Sequence, residues 1–553
     1  MLLYLTMHVL KCDTMKGFSN EFTYRKFLEE GKEGEFDRLF EDAVKKAKAT
    51  VLGKKHPMMI NGKEVNAPAE ITENSPIDGT PIGRFQKGTR EHATAAINAA
   101  HSAFSEWSSA GYRDRIAIMR AAADIFAREK FGVAAIMSIE NGKTRYESVG
   151  EVDEAIDFLR YYALDMEHNK GYLSKSVIEG TRSKVAAGFQ GAPGRTESVS
   201  IAMKPYGVFA IVAPFNFPIS ISTGMSAGAL ITGNTVVFKP SSTDSMAMLT
   251  GLRIYEIFSE AGVPSGAFNY ITGPGSELGE EFVSNELVKG IAFTGSRKTG
   301  MGMISKAYSS GRQKSFVVEM GGKNPVIVSE HADIDDAVSG VASAAFGYSG
   351  QKCSACSRVY VHESVKHEFL SKLAEKARSL RIGDPLLKAN YIGPLISTNA
   401  LEKFRSAVAA AKSAGRIVCG GGVAETGLNG IYVEPTVAEA PHGNPVFKEE
   451  FFVPFLAVDS YSKFTEALEK SNDSEYGLTA GLYSTKRSEI NAFLRYMQAG
   501  VLYVNRSISA TTGAIVGFHT FSGWKGSGLT GKGTGSRFYL QQFMREQSEA
   551  IVK

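Results

Sequence analysis

Cys353 and Cys356 lie three positions apart in the stretch FGYSGQKCSACSR, residues 346–358. A Cys-x-x-Cys pair can bind a metal ion, form a redox-active disulfide, or supply one nucleophile beside an inert neighbour. Zinc needs three or four ligands, and neither another cysteine nor a paired-histidine pattern lies nearby, so we expect no metal site. A thioredoxin-like pair normally opens a helix in a small domain, unlike this position deep in a long chain. The pattern favours one nucleophile and one bystander.

Cys353 directly follows Lys352 in a turn of small residues. The thiolate, not the thiol, attacks carbon, and a neighbouring cation or a helix terminus lowers the pKa of a thiol. We therefore predict that Cys353 is the nucleophile and that its surroundings favour the thiolate.

Glu319 interrupts the apolar run SFVVEMGG. A carboxylate inside such a run is costly unless it is used or paired, and burial tends to raise its pKa into a range that suits the activation of water. Glu319 is therefore a candidate general base. The alternative is a structural carboxylate paired with a cation.

Two further sites follow apolar runs. Lys239, in FKPSS, is either a donor to the ribose or phosphate of a cofactor or a lysine that extends along the surface into water. The stretch TGSRKTG, which contains Gly295 and Ser296, either brings a helix N-terminus to a pyrophosphate or is an ordinary strand-to-helix turn.

The elements that must position these residues are apolar strands alternating with helices. This alternation predicts an α/β fold with a parallel sheet covered on both faces, in which ligands bind beyond the carboxyl ends of the strands. A second strand–helix series begins at SFVVEMGGKNPVIV, residues 315–328. The strands predicted first are YGVFAIVAPFNFP (206–218), GNTVVFKPSS (233–242), GAFNYITG (266–273) and GIAFTGS (290–296).

Length and composition restrict the class of protein. A chain of 553 residues exceeds the roughly 250–300 residues that one core supports, so we expect two large domains. The net charge of +4 arises from interspersed residues without a basic stripe, which argues against a nucleic-acid partner. No apolar run reaches the roughly 18–20 residues that span a bilayer, and a secretory signal is not expected. Four irregularly spaced cysteines fit a reducing, cytoplasmic setting.

Six motifs together resemble, in order and spacing, those of the NAD(P)-dependent aldehyde dehydrogenase superfamily, from about residue 60 to the end. Three other stretches, EVDEAIDFLRYYA, GQKCSACSR and YVNRSISATTGAIVGFHTFSGWKGSG, look like the subgroup that oxidises glutamate-γ-semialdehyde, the open form of 1-pyrroline-5-carboxylate. The six superfamily motifs are APFNFP, GNTVVFKPSS, AFTGSRKTG, VVEMGGKNP, GQKC and EEFFVPF.

The resemblance implies a role for each matching residue. Cys353 would be the nucleophile, Asn216 and the Cys353 N–H would stabilise the oxyanion, and Glu319 would activate water. The implied cofactor contacts are Lys239 at the ribose, Ser242 three residues on, Gly295 and Ser296 at the pyrophosphate, and Glu450 and Phe452 at the nicotinamide-side ribose. The implied substrate contacts are Glu154 at the amine, Ser354 beside the nucleophile, Gly513 and Ala514 at the carboxylate, and Phe217 and Phe521 along the aldehyde tunnel.

Two single positions and one stretch depart from the usual pattern of the family. Ser242 replaces the glutamate that NAD-preferring members usually carry, and loss of that carboxylate removes its repulsion toward a 2′-phosphate. We therefore expect NAD as cofactor with NADP tolerated. Val453 replaces a usual glycine, and HTFSGWKGSG, which includes Phe521, replaces a more usual Pro-Phe-Gly-Gly.

The expected organisation follows from these matches. A peripheral helical arm without a clear hydrophobic stripe (1–57) precedes a Rossmann-like cofactor domain (58–315) with an oligomerisation hairpin (about 180–205). A catalytic α/β domain (316–505) and a tail carrying the substrate anchor loop and oligomerisation strand (506–553) follow. We expect a homodimer or higher homo-oligomer, with a separate proline dehydrogenase as a possible partner. The alternatives are a dehydrogenase of succinate semialdehyde or aliphatic aldehydes, and a non-catalytic protein on the same scaffold.

Overall fold

A computed structural model describes residues 23–179, 196–244, 246–507 and 515–552. The helices of the first part are α1 (Thr23–Glu29), α2 (Glu33–Thr50), α3 (Arg90–Ser109), α4 (Tyr112–Asn141), α5 (Arg145–His168), α6 (Ser220–Ile231), α7 (Met248–Glu260), α8 (Gly275–Ser284) and α9 (Arg297–Ser309). The strands of the first part are β1 (Lys54–His56), β2 (Met58–Ile60), β3 (Lys63–Val65), β4 (Glu70–Asn74), β5 (Pro81–Gln86), β6 (Leu173–Glu179), β7 (Thr196–Pro205), β8 (Val208–Val212), β9 (Thr235–Lys239), β10 (Phe268–Tyr270), β11 (Val288–Thr294) and β12 (Ser315–Glu319).

The second part continues the alternation of helices and strands. Its helices are α10 (Ile334–Phe346), α11 (Lys366–Ser379), α12 (Thr398–Ala414), α13 (Phe464–Asn472) and α14 (Arg487–Tyr496). Its strands are β13 (Asn324–Val328), β14 (Cys356–His362), β15 (Arg416–Cys419), β16 (Thr436–Glu439), β17 (Phe455–Tyr461), β18 (Tyr476–Gly477), β19 (Thr479–Tyr483), β20 (Val501–Val504), β21 (Trp524–Lys525) and β22 (Met544–Val552).

The first large sheet has the order β12-β11-β8-β9-β10-β2-β3, in which β12 to β10 run parallel. Helices cover its buried apolar strands, as the alternation predicted. The register pairs Val212 with both Lys239 and Phe293, and pairs Thr294 with Glu319. The carboxyl ends of these strands, with the loops that follow them, therefore lie along one edge of the sheet.

The second large sheet has the order β15-β16-β17-β14-β13-β19-β20, parallel except for β15. Asn324, at the start of β13, pairs with Cys356, at the start of β14. The segment that carries Cys353 therefore enters the amino edge of this sheet. The division between the sheets falls between Glu319 and Asn324, several residues after the expected boundary at 315/316, because Ser315–Glu319 pairs with β11 rather than with β13.

The arm at the start of the chain is helical, but it is not peripheral. Phe36 and Phe40 of α2 are fully buried and belong to the same core as α4 and α5. The Arg145 guanidinium, at the start of α5, donates to Asp37 over 2.7 Å. A stripe made of only a few large side chains therefore attaches this arm to the first domain, and the expectation of a helix without a hydrophobic stripe is wrong.

The hairpin strands and the end of the chain form one small sheet of order β22-β7-β6. The antiparallel pairing of β22 with β7 runs from Met544 opposite Pro205 to Val552 opposite Glu197. Residues 180–195 of the expected hairpin lie outside the described residues. Along the described ranges, no helix is both long and apolar enough to cross a lipid bilayer.

Candidate active site

Cys353 lies in a tight turn that two side-chain hydrogen bonds hold. The Asn324 amide donates to the Cys353 carbonyl over 2.8 Å and to the Ala355 carbonyl over 2.9 Å. A Cβ at Gly322 would collide with the Cys353 carbonyl oxygen, so this close approach of two chain segments requires glycine. Sequence reasoning missed both supports, although both lie in the stretch GGKNP, which begins two residues after the strand that ends at Glu319.

The backbone before the nucleophile is unusual as well. Tyr348 (φ 49°) and Ser349 (φ 52°) adopt left-handed conformations that residues other than glycine rarely adopt. The Tyr348 hydroxyl donates to the Asn141 carbonyl over 3.0 Å, and the Ser349 hydroxyl to the Gly393 carbonyl over 2.8 Å. These contacts hold the strained segment, and so fix where Cys353 enters the site.

The thiol environment differs from the one expected. Burial raises the pKa of Cys353 to about 12, and the negative charges of Glu450 and Glu319 act in the same direction. Lys352 does not offset this, because its ammonium pairs with Glu147 over 2.8 Å. The backbone N–H groups of Ser354 and Cys353 itself act in the opposite sense and favour the thiolate. The prediction that Lys352 lowers the pKa of the thiol is therefore wrong.

Glu319 is the last residue of β12, at the carboxyl edge of the first sheet. Burial raises its pKa well above the usual range of a carboxylic acid, against one hydrogen bond from the Gly523 N–H. Its Oε2 atom has no hydrogen-bond partner among the described residues. The raised pKa was predicted, and the alternative of a salt-bridged structural carboxylate finds no cation in the described part of the chain.

Asn216 follows β8 and is buried, in contact with the loop of the nucleophile. Its amide nitrogen donates to the Gln351 carbonyl over 3.2 Å, two residues before Cys353. Gln351 is held in turn by the Ile396 N–H, which donates to its side-chain oxygen over 2.9 Å. The two domains thus meet at Asn216, where the carboxyl edge of one sheet contacts the loop at the amino edge of the other.

Lys239 is the last residue of β9, and Ser242 lies three residues beyond it. The Lys239 ammonium, 5% exposed, donates to the Pro240 carbonyl over 3.1 Å, and the Ser242 hydroxyl donates to the same carbonyl over 2.8 Å. Burial lowers the pKa of Lys239 to about 8. The alternative of a surface lysine extending into water is therefore wrong, and these donors suit the hydroxyls or phosphates of a nucleotide.

Gly295 and Ser296 join β11 to α9 on the same edge. The Gly295 N–H donates to the Glu319 carbonyl over 3.1 Å, and Ser296 caps α9 by accepting from the Thr299 N–H over 3.3 Å. The free N–H groups of a helix N-terminus at this edge fit a pyrophosphate.

Glu450 and Phe452 approach this edge from the second domain. The Glu450 carboxylate accepts from the Gly322 N–H over 2.8 Å, and burial raises its pKa to about 7. Phe452 adopts a left-handed conformation (φ 61°), and its ring centroid lies 6.0 Å from that of Phe215. A carboxylate and an aromatic ring beside these loops are suited to contact a ribose and its base.

The substrate residues predicted by resemblance are brought together in part. Glu154, on α5, faces Ser220, Glu151, Lys143 and Lys352, and burial raises its pKa to about 7. Phe217 stacks against the Lys143 ammonium, whose nitrogen lies 3.8 Å from the ring centroid.

The remaining substrate residues lie on either side of the nucleophile or outside the described structure. Ser354 is buried beside Cys353. Phe521 pairs with Thr534 through an N–H that donates over 3.3 Å, two residues before the Gly523 N–H that binds Glu319. Gly513 and Ala514 lie outside the described residues.

Cys356 and Val453 are both buried in the second domain. Cys356 begins β14, is buried, and its thiol donates to the Arg358 carbonyl over 3.7 Å. Within the described ranges, the one group of side chains close enough to share a metal ion contains neither Cys353 nor Cys356. Val453 is buried and packs in a core cluster of the second domain.

Comparison with known proteins identifies the family. The profile of the aldehyde dehydrogenase family matches residues 64–548. The chain belongs to this family. A relative from Bacillus subtilis (strain 168), 1-pyrroline-5-carboxylate dehydrogenase 2, is 36% identical over 516 residues, 92% of this chain and 95% of that protein.

This aldehyde dehydrogenase is also similar to solved structures. A 1-pyrroline-5-carboxylate dehydrogenase from Thermus with bound NAD is 33% identical, with a TM-score of 0.86 over 97% of this chain and 99% of the other. Proline utilization A from Bdellovibrio bacteriovorus is also 33% identical, with a TM-score of 0.85 over 93% of this chain. The present chain spans about half of that longer protein (52%). The α/β fold predicted from the sequence is confirmed.

Proposed function

We propose that this aldehyde dehydrogenase oxidises glutamate-γ-semialdehyde, the open form of 1-pyrroline-5-carboxylate, to glutamate with NAD. The observation that carries the proposal is the meeting of Cys353, Asn216 and Glu319 where the edges of the two sheets face each other. Two further observations support this substrate: the names of the relatives, 1-pyrroline-5-carboxylate dehydrogenase, and the carboxylate of Glu154 beside the site.

The chemistry begins at sulfur. The Cys353 thiol gives its proton to solvent water as the sulfur attacks the aldehyde carbon, which forms the oxyanion of a thiohemiacetal. The Asn216 amide leaves the Gln351 carbonyl and, with the Cys353 N–H, donates to the new oxyanion. The residues that would hold NAD are Lys239, Gly295, Ser296, Glu450 and Phe452, and when bound it would supply the acceptor for the hydride that leaves the adduct carbon, which leaves a thioester on Cys353. The high pKa of the free thiol means that the attack must be coupled to proton removal.

Hydrolysis completes the cycle. Ionised Glu319 takes a proton from a water molecule as the water oxygen attacks the thioester carbon. The carbon–sulfur bond then breaks, Glu319 returns that proton to the sulfur of Cys353, and glutamate is released. The unpartnered Oε2 atom of Glu319 supports this role, because an acceptor held without a partner is ready to bind water.

The substrate is a zwitterion, so its site needs both an acceptor and donors. Glu154 would face the ammonium group, while the Ser354 hydroxyl and the N–H groups of Gly513 and Ala514 would bind the carboxylate. Phe217 and Phe521 would enclose the aliphatic part. This combination suits an amino-acid aldehyde better than an aliphatic aldehyde, which has no charge to anchor.

Cofactor choice depends on Ser242. We propose that NADP is tolerated beside NAD, because this position offers a hydroxyl where a carboxylate would repel the 2′-phosphate. Lys239, which shares the Pro240 carbonyl with Ser242, would donate to the ribose or to that phosphate.

The cellular context is proposed on three separate grounds. Within the described residues, the outer strands β22 and β6 of the β22-β7-β6 sheet each have one unpaired edge, which supports a homodimer or higher homo-oligomer. The similarity to proline utilization A supports a role in proline catabolism beside a separate proline dehydrogenase. The three described cysteines are free, which is compatible with the reducing cytoplasm.

A substrate panel tests the proposal. Purified enzyme with NAD should oxidise glutamate-γ-semialdehyde with a kcat/KM at least about tenfold above that for succinate semialdehyde or hexanal, because a lost charge contact costs about a factor of ten or more. Cys353→Ala is the control for contaminating activity. A preference for either competitor would favour the rival aldehyde specificity, and no turnover of any aldehyde would favour a non-catalytic scaffold.

A further inference from the structure

An ion pair lies fully buried behind the active site. Lys143, between α4 and α5, pairs with Glu151 of α5, and both side chains have no solvent exposure. Burying two charges costs desolvation free energy that can exceed the free energy of their attraction, so a buried ion pair is weak evidence of a role in stability. The reaction described above uses neither residue.

The Lys143 ammonium contacts an aromatic ring from each domain. Its nitrogen lies 3.8 Å from the ring centroid of Phe217 in the first domain, and 4.8 Å from that of Tyr348 in the second. Both distances lie within the range of a cation–π interaction, which strengthens when water is absent. Phe217 adjoins Asn216, while Tyr348 starts the strained segment that leads to Cys353.

Glu151 fixes the other end of the Asn216 loop. Its Oε1 atom accepts from the N–H groups of Ile219 over 2.7 Å and Ser220 over 3.2 Å. These groups lie at the N-terminus of α6, directly after the loop that carries Asn216 and Phe217, where a carboxylate also favours the helix dipole. One ion pair therefore holds both loops whose separation sets the distance from the amide donor to the nucleophile.

We infer that Lys143 is a positioning residue for catalysis. It holds the rings of Phe217 and Tyr348 on one cation, and Glu151 keeps that cation in place, so that the Asn216 amide and Cys353 converge on the same carbonyl group. Because Lys143 is enclosed, it acts through these side chains rather than on the substrate. The inference rests on the proposed oxidation, in which Asn216 stabilises the oxyanion.

Three enzymes provide the comparison. Lys143→Met keeps the length of the side chain and removes its charge, and Lys143→Met/Glu151→Gln also removes the buried charge that the single substitution would leave unpaired. The matched control is Lys130→Met, because Lys130 of α4 pairs with Asp153 of α5 over 2.5 Å. Asp153 lies two residues from Glu151, on a different face of the helix.

Steady-state and burst kinetics give the readout. We expect Lys143→Met and the double variant to lower kcat about 100-fold, the cost of misplacing reacting groups by about 1 Å, with the KM for NAD changed less than about threefold. Lys130→Met should retain kcat within about threefold, because its partner Asp153 lies on a different face of α5 from Glu151. If the double variant folds and keeps the kcat of the unmodified enzyme, or if Lys130→Met loses as much, the inference is wrong.

A double-mutant cycle with Asn216→Ala separates positioning from general loosening. The triple variant Asn216→Ala/Lys143→Met/Glu151→Gln is compared with Asn216→Ala alone. If Lys143 acts through Asn216, the kcat of the triple variant should be less than about threefold below that of Asn216→Ala, because the effects of coupled residues are not additive. Independent, multiplying losses would overturn the inference. Failure of the proposed function is distinguishable, because the unmodified enzyme would then be inactive toward the semialdehyde.

Discussion

The two large sheets contribute to the site from opposite ends of their strands. The first sheet presents its carboxyl edge, where Lys239 and Glu319 end strands and Gly295 follows one. The second presents its amino edge, because Cys353 precedes β14 and Phe452 precedes β17. The first sheet follows the general rule for ligand sites in parallel α/β sheets, whereas the second does not.

This difference explains how each edge is stabilised. Residues that end a strand inherit the order of the sheet, as the pairing of Thr294 with Glu319 shows. Residues that precede a strand need separate supports, and Cys353 has them in Asn324 and in the glycine at position 322. We therefore expect substitutions at the two edges to impair different steps of the reaction.

The largest effect should come from the amino edge. Cys353→Ala should abolish oxidation of the semialdehyde, because no other group can form the covalent adduct, while Cys356→Ser should retain most activity. Turnover of NAD by the two variants measures this. Equal losses would revive the interpretation of the cysteines as a redox pair and would remove the basis for distinguishing Cys353 from Cys356.

The next effect should come from the carboxyl edge. Glu319→Gln should slow steady-state turnover about 10²–10⁴-fold, since that is what a positioned general base contributes. The first turnover should still release a burst of NADH, because Glu319 acts after hydride transfer. Stopped-flow absorbance distinguishes the two phases. Loss of the burst together with turnover would place Glu319 in the first step instead.

A smaller effect concerns cofactor choice at the same edge. Ser242→Glu should lower the ratio of kcat/KM for NADP to that for NAD by about 10-fold or more, because a like charge near the 2′-phosphate costs on the order of 1–4 kcal/mol. Ser242→Ala is the uncharged control and should preserve the ratio. A parent enzyme strictly selective for NAD, unchanged by the glutamate, would refute the role given to Ser242.

The smallest effect should be a pH window for cofactor binding. Lys239, with its pKa lowered to about 8, loses its positive charge as pH rises through that value, while Glu450, with its pKa raised to about 7, loses its negative charge as pH falls through 7. If each contacts the cofactor when charged, NADH affinity should be highest between these values. Fluorescence titration from pH 6 to 9 measures the affinity for NADH. An affinity that does not change with pH would show that one or both residues do not contact the cofactor.

The contrast between the edges also explains what the sequence could predict. Apolar strands that end in Lys239, Thr294 and Glu319 reveal the first edge directly, because strand pattern and general rule agree. The high pKa of Cys353 could not be predicted, since it depends on burial and on Glu450, nearly one hundred residues away in sequence.

Two other features could not be predicted from the local sequence pattern. Lys352 looked like an activating neighbour, but it is committed to Glu147 by tertiary packing. The attachment of the first helices depends on only a few large side chains, such as Phe36 and Phe40, among many charges. Both outcomes are decided by which distant surface a side chain meets, and that information is absent from spacing along the chain.

The central claim is that the sulfur of Cys353 carries the acyl group between the two half-reactions. Intact-protein and peptide mass spectrometry of Glu319→Gln, quenched after mixing with the semialdehyde and NAD, tests it most directly. We expect a glutamyl adduct on the peptide with Cys353, which accumulates with the burst of NADH and is absent from Cys353→Ala/Glu319→Gln. A burst of NADH without any adduct, or an adduct on Cys356, would contradict it.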